Sequence, residues 1–105
     1  MMVILLEGND MQIDRLRGKE LDDLFEGIMK LENLDDCYHF FDDLCTTNEL
    51  VSLKQRFQVA KRIKEGQTYQ RVQDETGASS ATVSRVKRCL DYGSDGYHRI
   101  IDRME

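Results

Sequence analysis

Between Thr68 and Arg88 the chain gathers small hydroxyls, carboxamides and cations around a single glycine. Tyr69, Gln70, Arg71 and Gln73 precede Gly77; Ser80, Ala81, Ser84, Lys87 and Arg88 follow it. Hydroxyls and carboxamides both donate and accept hydrogen bonds. Arginine pairs with the acceptor edge of guanine or with phosphate oxygens, and lysine with phosphate. Small residues let a backbone come close to base edges. The chemistry on offer is recognition rather than bond making, and no phosphate-loop or nucleophile-elbow motif accompanies it.

The elements that must position these side chains are legible around them. A short helix is expected over about 69–75, a turn at Thr76-Gly77-Ala78, and a longer helix over about 80–90 capped by Ser79. Gly77 suits a turn that needs positive φ. Val83, Val86 and Leu90 fall at i, i+3 and i+7, one apolar edge that would pack inward. Ser80, Ala81, Ser84, Lys87 and Arg88 are then left mainly on the outer face. The segment 68–90 therefore reads as a helix-turn-helix whose second helix suits the major groove of double-stranded DNA. Arg56, Arg71, Lys87 and Arg88 are candidate phosphate contacts.

Charge supports that placement. Residues 1–53 hold thirteen acids and four bases, whereas residues 54–90 hold nine bases and three acids. The net charge of −5 thus hides a basic stretch between acidic flanks.

The rest of the chain reads as helices. Leu21, Leu24, Phe25 and Ile28 stripe a first helix over about 18–31. Asn33 caps a second over about 34–45, striped by Cys37, Phe40, Phe41 and Leu44. Thr46-Thr-Asn-Glu49 has capping-box spacing and opens a third helix that runs to about Glu65 and stops at Gly66. Its Leu50, Leu53, Phe57 and Ala60 follow heptad spacing, and Val59 and Ile63 widen the stripe. Ser94 is the expected cap of a last helix over about 95–104. The fold class is all-α. Residues 11–105 read as one helical domain, with 1–10 as a loose extension because Met11 offers an alternative start.

Three widely spaced cysteines, Cys37, Cys45 and Cys89, read as reduced thiols, which places the chain in the cytoplasm. Cys37, His39 and Cys45 lack the spacing of a metal site, and no metal or cofactor is called for. Adjacent acids such as Asp35-Asp36 diverge on a helix and make no catalytic dyad, so an enzyme is not expected. No apolar run approaches the ~20 residues of a membrane span.

The segments Thr46-x-x-Glu49, Glu65-Gly66 and Gly77-Ala-Ser-Ser-Ala-Thr-Val-Ser-Arg85 resemble the Trp repressor family. Tyr38-His-Phe-Phe-Asp-Asp-Leu-Cys45 and Arg88-Cys-Leu-Asp-Tyr-Gly93 resemble its Trp-repressor-like, YerC/YecD-type subgroup. The resemblance implies a six-helix fold, an intertwined homodimer, and DNA reading by the fourth and fifth helices. It also implies a ligand clasp that falls on Thr46, Arg56, Thr82 and Arg85, where one arginine would pair with a carboxylate and the other stack on a planar ring. Val86 stands where the tryptophan binder has glycine, Cys89 where it has serine, and the connection after Gly66 is one residue shorter. These departures point away from tryptophan. Arg56 and Arg85 remain open to another small-molecule effector or to phosphate contact.

The function expected is a sequence-specific DNA-binding regulator of repressor type. The alternative is a protein-interaction module of the same shape with weak DNA binding. An RNA binder is a third reading, disfavoured because no aromatic stacking platform accompanies the basic stretch.

Overall fold

The computed structural model describes residues 11–105; the extension expected over 1–10 lies outside them. A 3₁₀ turn, Gln12–Leu16, precedes six helices: α1 Lys19–Ile28, α2 Leu34–Leu44, α3 Thr47–Lys64, α4 Tyr69–Thr76, α5 Ser80–Tyr92 and α6 Gly96–Met104. Two compact units divide inside α2, one ending at Phe40 and the other spanning Phe41–Glu105.

The first unit is built from local signals. Asp14 closes the 3₁₀ turn by accepting from the Met11 backbone N–H at 2.9 Å and from Arg17 Nε at 2.6 Å. The Asn33 side chain accepts from the Asp36 N–H at 2.8 Å and starts α2. Neither α1 nor α2 buries a residue, although both are amphipathic. Phe25, Met29, Leu34, Tyr38 and Leu44 all stand exposed on them or at their ends.

The second unit holds the core: Val59, Ala60, Val72, Ala78, Val83, Val86, Leu90 and Ile101, with Phe57, Ile63 and Tyr97 packed against it. α3 is the spine, touching α4, α5 and α6. The expected stripe of α3 divides along its length. Phe57, Val59, Ala60 and Ile63 face this core, while Val51 and Leu53 stay exposed. Full burial of each Val, Leu or Ile side chain is worth roughly 1.5–3 kcal/mol, so three such residues on α5 fix how that helix rolls.

Caps set the ends. Thr46 Oγ1 accepts from the Glu49 N–H and the Glu49 carboxylate accepts from the Thr46 N–H, a reciprocal box. That contact holds the Glu49 carboxyl below the usual carboxylate range. At the far end Gly66 adopts φ +89, with its N–H on the Ile63 carbonyl and the Gln67 N–H on the Arg62 carbonyl, a Schellman stop. α6 starts differently from the expectation. Its cap is Asp95 at φ 70, not Ser94; the Asp95 carboxylate makes no cap bond and accepts from Arg99 Nε at 3.3 Å. α1 also ends earlier than expected, tightening through Lys30 N–H to Gly27 carbonyl and Leu31 N–H to Ile28 carbonyl.

His98 fastens α6. Its Nε2 lies 2.8 Å from the Leu90 carbonyl and its Nδ1 lies 2.7 Å from Lys64 Nζ. A carbonyl only accepts, so Nε2 carries the proton, and Nδ1 then accepts from the ammonium. Lys64 also pairs with Asp102 at 3.3 Å. One imidazole therefore joins α3, the end of α5 and α6.

The turn between α4 and α5 rests on Gly77 at φ +74, whose N–H bonds the Gln73 carbonyl at 2.8 Å. Nothing lies within 4 Å of a Cβ built there, so the conformation alone requires glycine. Gly77→Ala should lower unfolding free energy by about 1–2 kcal/mol, and Gly77→Asn by less. Urea titration of the three chains checks this.

Candidate nucleic-acid interface

α4 and α5 meet at the tight turn Gly77–Ala78–Ser79. Thr68 Oγ1 accepts from the Arg71 N–H to cap α4, and Ser79 Oγ accepts from the Thr82 N–H to cap α5. Between them the Thr76 hydroxyl donates to the Val72 carbonyl at 2.6 Å and accepts from the Ala78 N–H at 3.2 Å. Ala78 is buried, which anchors the turn to the core.

With Val83, Val86 and Leu90 buried, the outward side of α5 is set. Ser80, Ala81, Ser84, Arg85 and Arg88 are exposed. Lys87 is half-buried because helical geometry puts it only about 70° from the apolar edge. On α4, Tyr69 at the first turn is 45% exposed, so its ring is available to a partner. Gln70 is exposed and donates to Asp74 at 2.9 Å, and Gln73 is half-buried.

The cations are unequally available. Glu75 stands between two guanidiniums, with Oε1 2.6 Å from Arg62 Nη1 and Oε2 2.8 Å from Arg71 Nε. The Arg71 hydrogen bond, with the charges of Arg71 and Arg62 behind it, holds the Glu75 carboxyl below the usual carboxylate range. Lys87 Nζ is 3.2 Å from Asp91. Arg56, Arg85 and Arg88 have no carboxylate partner among the described residues. Two of the four expected phosphate contacts, Arg71 and Lys87, are thus already paired within the chain.

A cavity of about 250 Å³ opens between α3 and α5. Ser52, Gln55, Arg56, Thr82 and Arg85 line it. Three of the four residues expected at a ligand clasp meet there. Thr46 does not line it: its hydroxyl is committed to the Glu49 cap, ten residues or about 15 Å along α3 from Arg56. Val86, which stands where the tryptophan binder has glycine, is 1% exposed in the core and is not part of the cavity wall. Sequence reading missed Ser52 and Gln55. Their spacing from Arg56, one residue and one turn back along α3, was the available signal.

Among the described residues no three His, Cys, Asp or Glu side chains gather as a metal site, and no helix is long and apolar enough to cross a membrane.

Comparison with known proteins identifies the family and the fold. The family model for the Trp repressor protein matches residues 19–105. The uncharacterised protein YerC of Bacillus subtilis (strain 168) is 60% identical over 95 residues, covering 90% of this chain and 91% of YerC. The crystal structure of a Trp repressor candidate from Staphylococcus aureus superposes with a TM-score of 0.88 at 60% identity, covering 90% of this chain and 95% of that one. A TrpR-like protein from Eubacterium eligens ATCC 27750 gives 0.83 at 48% identity, covering 87% and 94%.

Removing the Glu75 carboxylate should free Arg71. Glu75→Gln is expected to raise affinity for duplex DNA of any sequence and to steepen the log–log salt slope by about 0.9 for the one phosphate gained. The same variant should flatten the acid limb of stability. A carboxyl lowered in the folded state stabilises above its ordinary range, and that contribution is lost as pH falls through its folded value. Fluorescence anisotropy across a salt series and urea titration across pH read the two effects.

Proposed function

The chain belongs to the Trp repressor family, a family of DNA-binding regulators, and on that footing we propose that it regulates transcription by reading double-stranded DNA as a homodimer. The observation that carries the reading is the N-terminal half of α5. It is held on a left-handed glycine turn, it presents Ser80, Ala81 and Ser84 to solvent, and an unpaired Arg88 stands one turn beyond Ser84. Small side chains there allow close approach to base edges, and Arg88 supplies a phosphate or guanine contact.

The dimer reading draws on α1, α2 and the N-terminal part of α3. These carry amphipathic stripes, yet Phe25, Met29, Leu34, Leu44, Val51 and Leu53 remain exposed in the single chain. A second copy of the same chain would cover the exposed apolar side chains of each unit, and paired α5 helices would meet half-sites roughly 34 Å apart. A small-molecule effector between α3 and α5 fits the same scheme: a ligand touching Arg56 and Arg85 would bias the set of α5 against α3. Action in the cytoplasm follows from this role.

Two measurements bear on the proposal. Arg88→Ala should weaken binding evenly across sequences and flatten the salt slope by about 0.9, whereas Ser84→Ala should change preference at one base position. If neither alters duplex affinity, the α5 face is not the contact surface and a protein-interaction role takes precedence. Sedimentation equilibrium at micromolar concentration should show a dimer; a stable, folded species at the single-chain mass of 12.3 kDa would overturn that part.

A further inference from the structure

His98, the sole histidine of residues 41–105, belongs neither to the outer face of α5 nor to the wall of the α3–α5 cavity. It sits where three helices meet. Leu90, whose carbonyl lies 2.8 Å from its Nε2, is the last buried residue of α5. Lys64, whose Nζ lies 2.7 Å from its Nδ1, is the last residue of α3. Both ring nitrogens are therefore engaged, and by groups on two other helices.

Each of these bonds needs a particular protonation state. A carbonyl only accepts and an ammonium only donates, so the neutral ring with its proton on Nε2 alone satisfies both. An imidazolium carries a proton on each nitrogen. Its Nδ1–H would point at the Lys64 ammonium, setting two donors and two like charges 2.7 Å apart. The Leu90 bond survives protonation and the Lys64 bond does not.

The surrounding charges leave that conflict in place. From α3 the facing charge is Lys64 itself, whose side chain is 18% exposed. α5 presents a backbone carbonyl, and Lys87 and Asp91 beside it engage each other at 3.2 Å. On α6, Asp95 pairs with Arg99 at 3.3 Å, and Asp102 pairs with Lys64 at 3.3 Å. Asp102 thus holds the ammonium once the ring no longer accepts it.

We infer that His98 is an acid-sensitive latch: the neutral ring ties α6 to the ends of α3 and α5, and protonation expels Lys64 and loosens α6 from α3. Histidine changes charge between about pH 5 and 8, so acidification within that range works the latch. The sign follows from the bonds. Taking up a proton breaks a contact in the folded chain and none in the unfolded one, so the latch holds with the ring neutral and is lost as pH falls. Leu90 lies two residues beyond Arg88, so the latch bears on the end of the helix that carries the candidate interface. Nothing in it depends on DNA binding; a chain that binds no duplex DNA would carry it still.

The test uses the full chain. Long-range proton–nitrogen spectra of the imidazole report the tautomer. Hydrogen exchange of the α6 amides, corrected for the intrinsic effect of pH, is compared with that of the Val59 and Val83 amides at about pH 7.5 and pH 5.5, on either side of the ordinary histidine value. At the higher pH the proton is expected on Nε2. At the lower pH α6 protection should fall about tenfold relative to the core, as loss of one charge-assisted hydrogen bond implies. His98→Gln keeps a donor for Leu90 and has no ring to titrate, so its α6 protection should not follow pH across this window. Lys64→Met keeps the ring but leaves nothing for its protonation to break, and the acid step should vanish there too. That variant and the tautomer of the unaltered chain keep the test sound if His98→Gln folds poorly. A proton on Nδ1 at the higher pH overturns the inference, as does the absence of an acid step. So does a step of equal size in His98→Gln or Lys64→Met, which would assign it to the carboxylates instead.

Discussion

Everything at the candidate interface depends on one apolar seam: Val83, Val86 and Leu90 of α5 set into a core shared with Val59 and Ala60 of α3 and Val72 of α4. A helix turns about 100° per residue, so three buried positions along one edge leave no freedom in what the opposite side presents. Ala81 and Arg88 point directly away from the seam, Ser84 lies beside them, and Thr82 and Arg85 fall on the flank that borders α3. The outer face and the cavity are therefore two consequences of the same packing decision. A hydroxyl or charge in place of Val86 would not merely cost burial energy; it would roll both surfaces out of place.

The second organising fact is electrostatic. The chain is net acidic, yet acids within 54–105 are not spread evenly over its cations. Glu75 bridges Arg62 on α3 to Arg71 on α4, Asp91 holds Lys87, and Asp102 holds Lys64. Exposed pairs of this kind are worth little to stability. Their larger effect is on which cations are free to meet an anion. The pairing withdraws Arg71 and Lys87 and leaves Arg56, Arg85 and Arg88 available. A surface with fewer free cations binds nucleic acid less indiscriminately, which leaves more of the recognition to base contacts.

The fold was largely legible because its punctuation is local. Asn33, Thr46, Thr68 and Ser79 each accept from the N–H three residues on, and Gly66 and Gly77 each take positive φ. Such signals need no tertiary context. What stayed hidden required it. Ser94 and Asp95 both have cap chemistry, and only the left-handed backbone at Asp95 and the competing Arg99 decide between them. His98 looks isolated along the chain, but folding brings it between Leu90 and Lys64. At the candidate site, Arg56, Thr82 and Arg85 could be placed by resemblance, whereas Ser52 and Gln55 offered only their spacing from Arg56 along α3 until α3 and α5 are set face to face. The i, i+4 pairs Arg71–Glu75 and Lys87–Asp91 could have been read from spacing. The reach of Glu75 to Arg62, thirteen residues away, could not.

The contrast between the two units has a thermodynamic consequence. Residues 41–105 own a core of fully buried aliphatics, whereas α1 and α2 leave their apolar stripes at best half-buried and expose Phe25, Met29, Leu34 and Tyr38. Fixing each residue of a helix costs about 1–2 kcal/mol of backbone entropy, and helices of ten or eleven residues are marginal in water without packing. Local caps such as Asn33 offset only a small part of that. The amphipathic pattern of the first unit is therefore specified for burial that the single chain does not supply. On the dimer reading, folding of the N-terminal helices and association with a second copy become one equilibrium, sensitive to concentration in a way that the core around α5 is not.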